Sequence, residues 1–185
     1  MERRGFIQGI VAFAGLGVWI GRDAFAQSMD KKAVEDMQKN WKSLLADGTP
    51  EVTAKPELKL SKDEWRKRLS PAAYDVLREE GTERAGTSPL NGEKRPGVFV
   101  CAGCDLPLFT SAMKYESGTG WPSFFTSIPG VFGTTTDYKL IYPRTEYHCA
   151  RCGGHHGHIF NDGPQPTGLR YCINSCALQR EEAAS

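Results

Sequence analysis

The chain has 185 residues carrying 23 basic and 22 acidic side chains, a length for one domain plus an extension rather than two domains. No like-charge block exceeds three residues, which excludes a broad nucleic-acid or anionic-membrane surface. Its 20 glycines and 11 prolines favour short strands joined by turns over a helical bundle.

Residues 1–26 read as a signal peptide. Arg3-Arg4 precede an uncharged apolar run from Ile10 to Ile20 that is short for a bilayer span. Ala24-Phe25-Ala26 then offers the small-x-small pattern of a cleavage site, leaving Gln27 as the first mature residue. Glu2 to Gln8 has the form of a twin-arginine signal. The expectation is a periplasmic protein with no stable membrane span after cleavage, and the alternative is an inner-membrane anchor facing the periplasm.

Residues 27–59 are expected to form a helix over Met29–Leu45, with Val34, Met37, Trp41, Leu44 and Leu45 at helical spacing, and then a linker. The domain proper spans 60–180, with a tail at 181–185. Ser61 and Glu64 form a capping box, Ser70-Pro71 starts a second helix and Gly81 ends it. Beyond Gly97 the pattern turns to strand-like runs: Val98–Cys101, Tyr138–Tyr142, Thr145–Cys149, His158–Phe160 and Leu169–Asn174. The implied fold is mainly β (α+β), antiparallel, with leading helices.

Four of the six cysteines lie in two C-x-x-C pairs, Cys101/Cys104 and Cys149/Cys152, each with glycine inside or after it. Two such knuckles suit a tetrahedral zinc ion bound by four thiolates. Local disulfides, disulfides between the pairs and a redox-active C-x-x-C are the alternatives. Cys172 stands apart from both pairs. Strand alternation places Arg170, Cys172 and Asn174 on one face, where a cation would lower the thiol pKa and favour a nucleophile. A small buried hydrophobe is the competing role. His155 and His158 in Gly154-His-His-Gly-His-Ile-Phe160 can supply protons near neutral pH. The glycine-rich stretch Ser117-Gly-Thr-Gly-Trp-Pro-Ser-Phe124 presents Trp121, with Phe124 and Phe125, as an apolar wall for a small group.

Taken in order, these motifs and Arg170-Tyr-Cys-Ile-Asn-Ser175 resemble the class B methionine sulfoxide reductases, over about Leu60 to Leu178. The resemblance implies two antiparallel sheets, one structural zinc on Cys101, Cys104, Cys149 and Cys152, and reduction of methionine-R-sulfoxide in oxidised proteins or peptides. It implies Cys172 as nucleophile, His158 and His155 as imidazoles that help protonate the sulfoxide oxygen, and Asn174 as a polar residue holding the site. Trp121 would receive the S-methyl group, and Phe160 and Arg170 would complete the substrate-binding side. Many members carry a resolving cysteine where this chain has Thr119. The expectation is therefore a Cys172 sulfenic acid re-reduced by a thioredoxin-like thiol donor, in a monomeric enzyme. Cys176 would lie roughly 13 Å from Cys172 in a continued strand, too far for a disulfide. The rival functions are a zinc-stapled binding module, which has no use for Cys172 beside His158 and Trp121, and a thiol-disulfide oxidoreductase working through one C-x-x-C.

Overall fold

The computed structural model describes residues 29–45, 52–140 and 142–183; the expected signal peptide and its cleavage point lie outside the described residues. Among those residues no helix is long and apolar enough to cross a membrane.

Helix α1, Lys31–Lys39, starts where the Asp30 carboxylate accepts the Ala33 N–H. It is shorter than expected. The chain leaves helical geometry at Asn40 and continues as a 3-10 turn, Trp41–Leu44. The extension packs on the domain: Val34 lies against Phe125, and the Gln38 amide donates to Thr126 Oγ1 (2.7 Å) and the Ser127 carbonyl (3.1 Å).

Helix α2, Lys62–Arg68, has the predicted capping box between Ser61 and Glu64. Helix α3, Pro71–Glu79, has Ser70 as N-cap and proline in its first turn. Its end differs in detail, because Glu80 rather than Gly81 adopts the left-handed conformation (φ 57°). The Gly81 N–H reaches back to the Asp75 carbonyl (3.0 Å), which satisfies a carbonyl of the last turns.

Nine strands follow among the described residues: β1 Gly97–Cys101, β2 Pro107–Thr110, β3 Lys114–Tyr115, β4 Ser123–Phe124, β5 Phe132–Asp137, β6 Arg144–Cys149, β7 His155–Phe160, β8 Arg170–Ile173 and β9 Leu178–Glu182. They form a three-stranded sheet ordered β2-β1-β9 and a six-stranded sheet ordered β3-β4-β8-β7-β6-β5. All pairings are antiparallel. The two-sheet expectation holds. The last strand carries pairing with β1 as far as Glu182.

Between the layers lie Phe99, Leu108, Phe109, Met113, Phe124, Tyr147 and Ile173, all buried, with Phe109 stacked on Phe124 at 4.0 Å between centroids. Each such side chain contributes about 1.5–3 kcal/mol of apolar burial.

One strand expectation fails, and one strand arises that the pattern did not predict. Of the expected 138–142 strand, Tyr138, Leu140 and Tyr142 fall between β5 and β6 with their side chains facing solvent, and Ile141 lies outside the described residues. Strand β5, with its exposed Thr134-Thr135-Thr136, pairs along the whole of β6 without an apolar alternation to announce it.

Candidate active site and metal centre

The central strand β8 carries Cys172 between β4 and β7, opposite Ser123 on one side and His158 on the other. Its backbone is held in place by Tyr147, whose hydroxyl donates to the Cys172 carbonyl (3.2 Å), and by the Ile173 N–H donating to the Pro122 carbonyl (3.1 Å). Gly157 of β7 has φ 154°, and a Cβ there would stand 2.1 Å from the Cys172 carbonyl oxygen. Only glycine lets β7 pass the strand of Cys172 so closely.

Cys172 opens into a cavity of about 160 Å³ lined by Thr82, Trp121, Arg144, Gly157, His158, Phe160, Ile173 and Asn174. A larger cavity of about 540 Å³ lies against α2 and α3 and contains His155, Glu146 and Glu80. No cysteine lines it, whereas Cys172 lines the smaller one.

Several residues that the sequence did not single out build the site. Asp137, at the end of β5, accepts from His158 Nε2 (2.7 Å), from the Arg144 guanidinium (2.5 Å) and from the Lys139 N–H (2.8 Å). The Lys139 N–H, the imidazole and Arg144 hold its carboxyl well below the usual carboxylate range. The ionised carboxylate can only accept, so His158 Nε2 carries a proton and its ring is fixed. Glu83 works as a clip. Its N–H donates to Asn174 Oδ1 (3.0 Å), its carbonyl accepts the Trp121 indole N–H (3.0 Å), and its carboxylate accepts from the Ser175 N–H (2.6 Å) and hydroxyl (2.7 Å). Asn174 Nδ2 also donates to the His156 carbonyl (3.2 Å). Nothing in the spacing of residues 83, 121 and 174 announces this junction.

At the other end of the sheets the four knuckle cysteines meet. Their sulfurs all lie within 4.8 Å of one another and are buried. Cys101 and Cys152 are 3.7 Å apart, and Cys104 and Cys149 3.5 Å. Those spacings are those of a tetrahedron: with bonds of about 2.3 Å to a central ion, ligands stand roughly 3.8 Å apart. A disulfide would need about 2 Å. Hydrogen bonding among the four sulfurs pushes Cys101 and Cys104 up, with burial adding to the rise, and holds Cys149 and Cys152 down against their burial. A shared cation removes that conflict by binding all four as thiolates. Gly153, at φ 67°, makes the left-handed turn of the second knuckle.

The SelR domain family matches residues 69–182, more than half of the chain. The "Peptide methionine sulfoxide reductase MsrB" of Leptospira interrogans is 50% identical over 124 residues, which is 66% of this chain and 95% of that protein. The chain belongs to the SelR family, that of the class B methionine sulfoxide reductases. The MsrB of Pseudomonas putida is 52% identical over 117 residues, 63% of this chain and 88% of its own. The chloroplastic peptide methionine sulfoxide reductase B1 of Arabidopsis thaliana is 51% identical over 121 residues, and the chain spans only 60% of its length.

In this class B reductase the expected site residues do not all face the same space. Cys172, His158, Trp121, Asn174 and Phe160 share the small cavity. His155 does not line it. Its ring stands 5.6 Å from that of His158, and its Nδ1 bonds Glu146 (2.7 Å). Burial lowers its pKa more than Glu146 raises it. Phe124 and Phe125 are core residues, so the apolar wall is Trp121 with Phe160. Arg170 is also outside the cavity lining. Its guanidinium grips Asp162 through two bonds (2.8 and 2.9 Å) and lies over the Phe160 ring at 4.2 Å.

The expected lowering of the Cys172 pKa is thus reversed. Burial pushes the thiol up, and the Arg170 charge and the Thr119 hydroxyl offset only part of that. A raised pKa means that the protonated thiol dominates at neutral pH and the thiolate appears as pH rises. In a Cys176→Ser background, iodoacetamide alkylation of Cys172 should therefore keep accelerating above about pH 9. A rate that is already flat between pH 7 and 8, on the order of the thiolate limit, would contradict the burial argument.

Cys176 needs a second correction. The strand ends at Ile173 and Ser175–Ala177 form a 3-10 turn, so the extended-strand separation from Cys172 does not apply. Cys176 remains half-buried, does not line the cavity, and burial pushes its thiol up to about 11.

Proposed function

We propose that this enzyme reduces the R epimer of methionine sulfoxide in proteins and peptides through a sulfenic acid on Cys172. The convergence of Cys172, His158 and Trp121 on one small cavity carries this reading. Trp121, with Phe160, receives the S-methyl group. The Cys172 sulfur attacks the sulfoxide sulfur while His158 as imidazolium, with Nε2–H held by Asp137, protonates the sulfoxide oxygen from its other ring nitrogen. His155, outside the cavity lining and with its pKa lowered by burial, is less readily protonated at neutral pH and steadies its neighbour. Oxygen ends on Cys172 as –SOH, the substrate sulfur gains two electrons, and methionine leaves.

Recycling then takes two external thiols. The first condenses with the sulfenic acid, releasing water and forming a mixed disulfide. The second restores the Cys172 thiol and leaves as the donor disulfide. Thr119 supports this route, because its hydroxyl rather than a thiol stands beside Cys172. A thioredoxin-like protein is the proposed donor. Zinc is the proposed occupant of the four-cysteine site, where it would supply structural cross-linking and no step of the reaction. The proposed setting is the periplasm, on the strength of the Arg3-Arg4 signal pattern. The proposed state is a monomer.

The deciding experiment offers the mature enzyme dabsylated methionine sulfoxide as separate R and S epimers with dithiothreitol. Turnover is expected on the R epimer, with the S epimer slower by about 100-fold or more. Equal rates, or a preference for S, would overturn the assignment.

A further inference from the structure

Among the described residues the exposed large hydrophobic side chains are Tyr138, Leu140 and Tyr142, at 75, 50 and 61% exposure. Soluble proteins commonly scatter such residues singly. Here they fall on one short connection, and both ends of that connection stand at the catalytic cavity. It leaves Asp137, which holds His158, and returns through Arg144, which lines the cavity. The loop is tied down on its inner side. The Lys139 N–H donates to Asp137 Oδ1 (2.8 Å), and the Lys139 ammonium pairs with Glu80 beyond the end of α3. Residues 138, 140 and 142 are thereby presented to solvent on a held scaffold.

The size of the cavity says what must lie over that rim. A space of about 150 Å³ accommodates a molecule the size of benzene, so 160 Å³ admits the sulfoxide end of one side chain and no more. The chain bearing that side chain must cross outside it. Methionine is a core residue, and oxidation makes it polar and disrupts the packing around it. The residues that accompany an oxidised methionine into solution are accordingly apolar.

We propose that Tyr138, Leu140 and Tyr142 form a docking surface for the apolar and aromatic residues flanking the oxidised methionine in an extended or unfolded polypeptide. This rests on the reading of the Cys172 cavity as the sulfoxide site.

The test compares wild type with a Tyr138→Ser/Leu140→Ser/Tyr142→Ser variant, using dithiothreitol as reductant. The two substrates are oxidised β-casein, which is unfolded, and N-acetylmethionine-R-sulfoxide, which has no flanking residues. For casein, kcat/KM should fall about tenfold through KM, with kcat unchanged, while the small substrate is turned over as by wild type. The single variant Leu140→Ser should give a smaller loss of the same kind. An unchanged KM for casein, or an equal loss on both substrates, would overturn the docking role and leave the sulfoxide site intact. A wild-type enzyme inactive on both substrates would remove the site reading and the docking proposal with it. If light scattering shows that the triple variant loses a dimer formed by wild type, the loop serves self-association and the proposal falls.

Discussion

Cys172→Ser is expected to lower kcat/KM for methionine-R-sulfoxide by about 1,000-fold or more while leaving the fold intact. The size of the effect follows from the chemistry. A serine oxygen cannot accept the sulfoxide oxygen to form a stable sulfenic equivalent, and no other thiol lines the cavity. The substitution is nearly isosteric, and the Cys172 thiol makes no stabilising contact that a hydroxyl would abolish. Thr119 and Arg170 are both able to donate to it. Melting temperature should move by less than about 3 °C, corresponding to a change near 1 kcal/mol. Mass spectrometry of the wild type after one turnover without reductant gives an independent reading. Addition of one oxygen to Cys172, about 16 Da, is expected. A loss of about 2 Da, with a peptide joining Cys172 to Cys176, would replace external recycling by an internal disulfide. Survival of appreciable activity in the serine variant would remove Cys172 from the mechanism altogether.

The parts of this molecule that were legible in its sequence are those whose chemistry is local or strongly patterned. The capping box at Ser61 and Glu64 satisfies backbone donors within one turn, and the proline of Ser70-Pro71 marks a helix start by its own geometry. The two C-x-x-C knuckles announced a four-sulfur cluster because thiolates at that spacing have few other uses. Cys172, His158 and Trp121 were each visible from their neighbours, and the fold brings them into one space.

What the sequence concealed depends on long-range register. Asp137 is functional only because β5 pairs with β6 so that Asp137 faces Arg144, and because it reaches His158 beyond β6, on β7. Glu83 is one glutamate in a loop, and its role comes from three partners drawn from separate segments. Arg170 was misread through the same limitation. Strand alternation gave its side correctly enough to influence Cys172, but could not show Asp162 waiting eight residues earlier to take its guanidinium. The aromatic alternation over 138–142 has the local signature of a strand, yet pairing partners decide strands, and among the described residues none is offered to Tyr138, Leu140 or Tyr142.

The largest stability effect is expected at the cysteine cluster. Cys101 ends β1 of the three-stranded sheet, and Cys149 ends β6 of the six-stranded sheet. Cys104 and Cys152 complete each knuckle in the turns that follow. An ion held by all four therefore ties the two sheets together at one edge of their shared core, and it also fixes the start of β7, the strand that carries His158. In small metal-folded peptides such a site contributes on the order of 10 kcal/mol; here the packed core retains part of the structure, and several kcal/mol should be lost. Cys149→Ser, or prolonged treatment with a strong chelator, is expected to lower the melting temperature by roughly 10–20 °C, at about 2–4 °C per kcal/mol for a chain of this size. Metal analysis should give one zinc per chain in the wild type and in Cys172→Ser, and much less in Cys149→Ser. The pairing of the two variants separates the roles: one loses chemistry with its metal and stability intact, the other loses metal and stability first and activity as a consequence. A wild-type protein that purifies without metal and melts at the same temperature with and without chelator would show that the four sulfurs hold the sheets together without an ion.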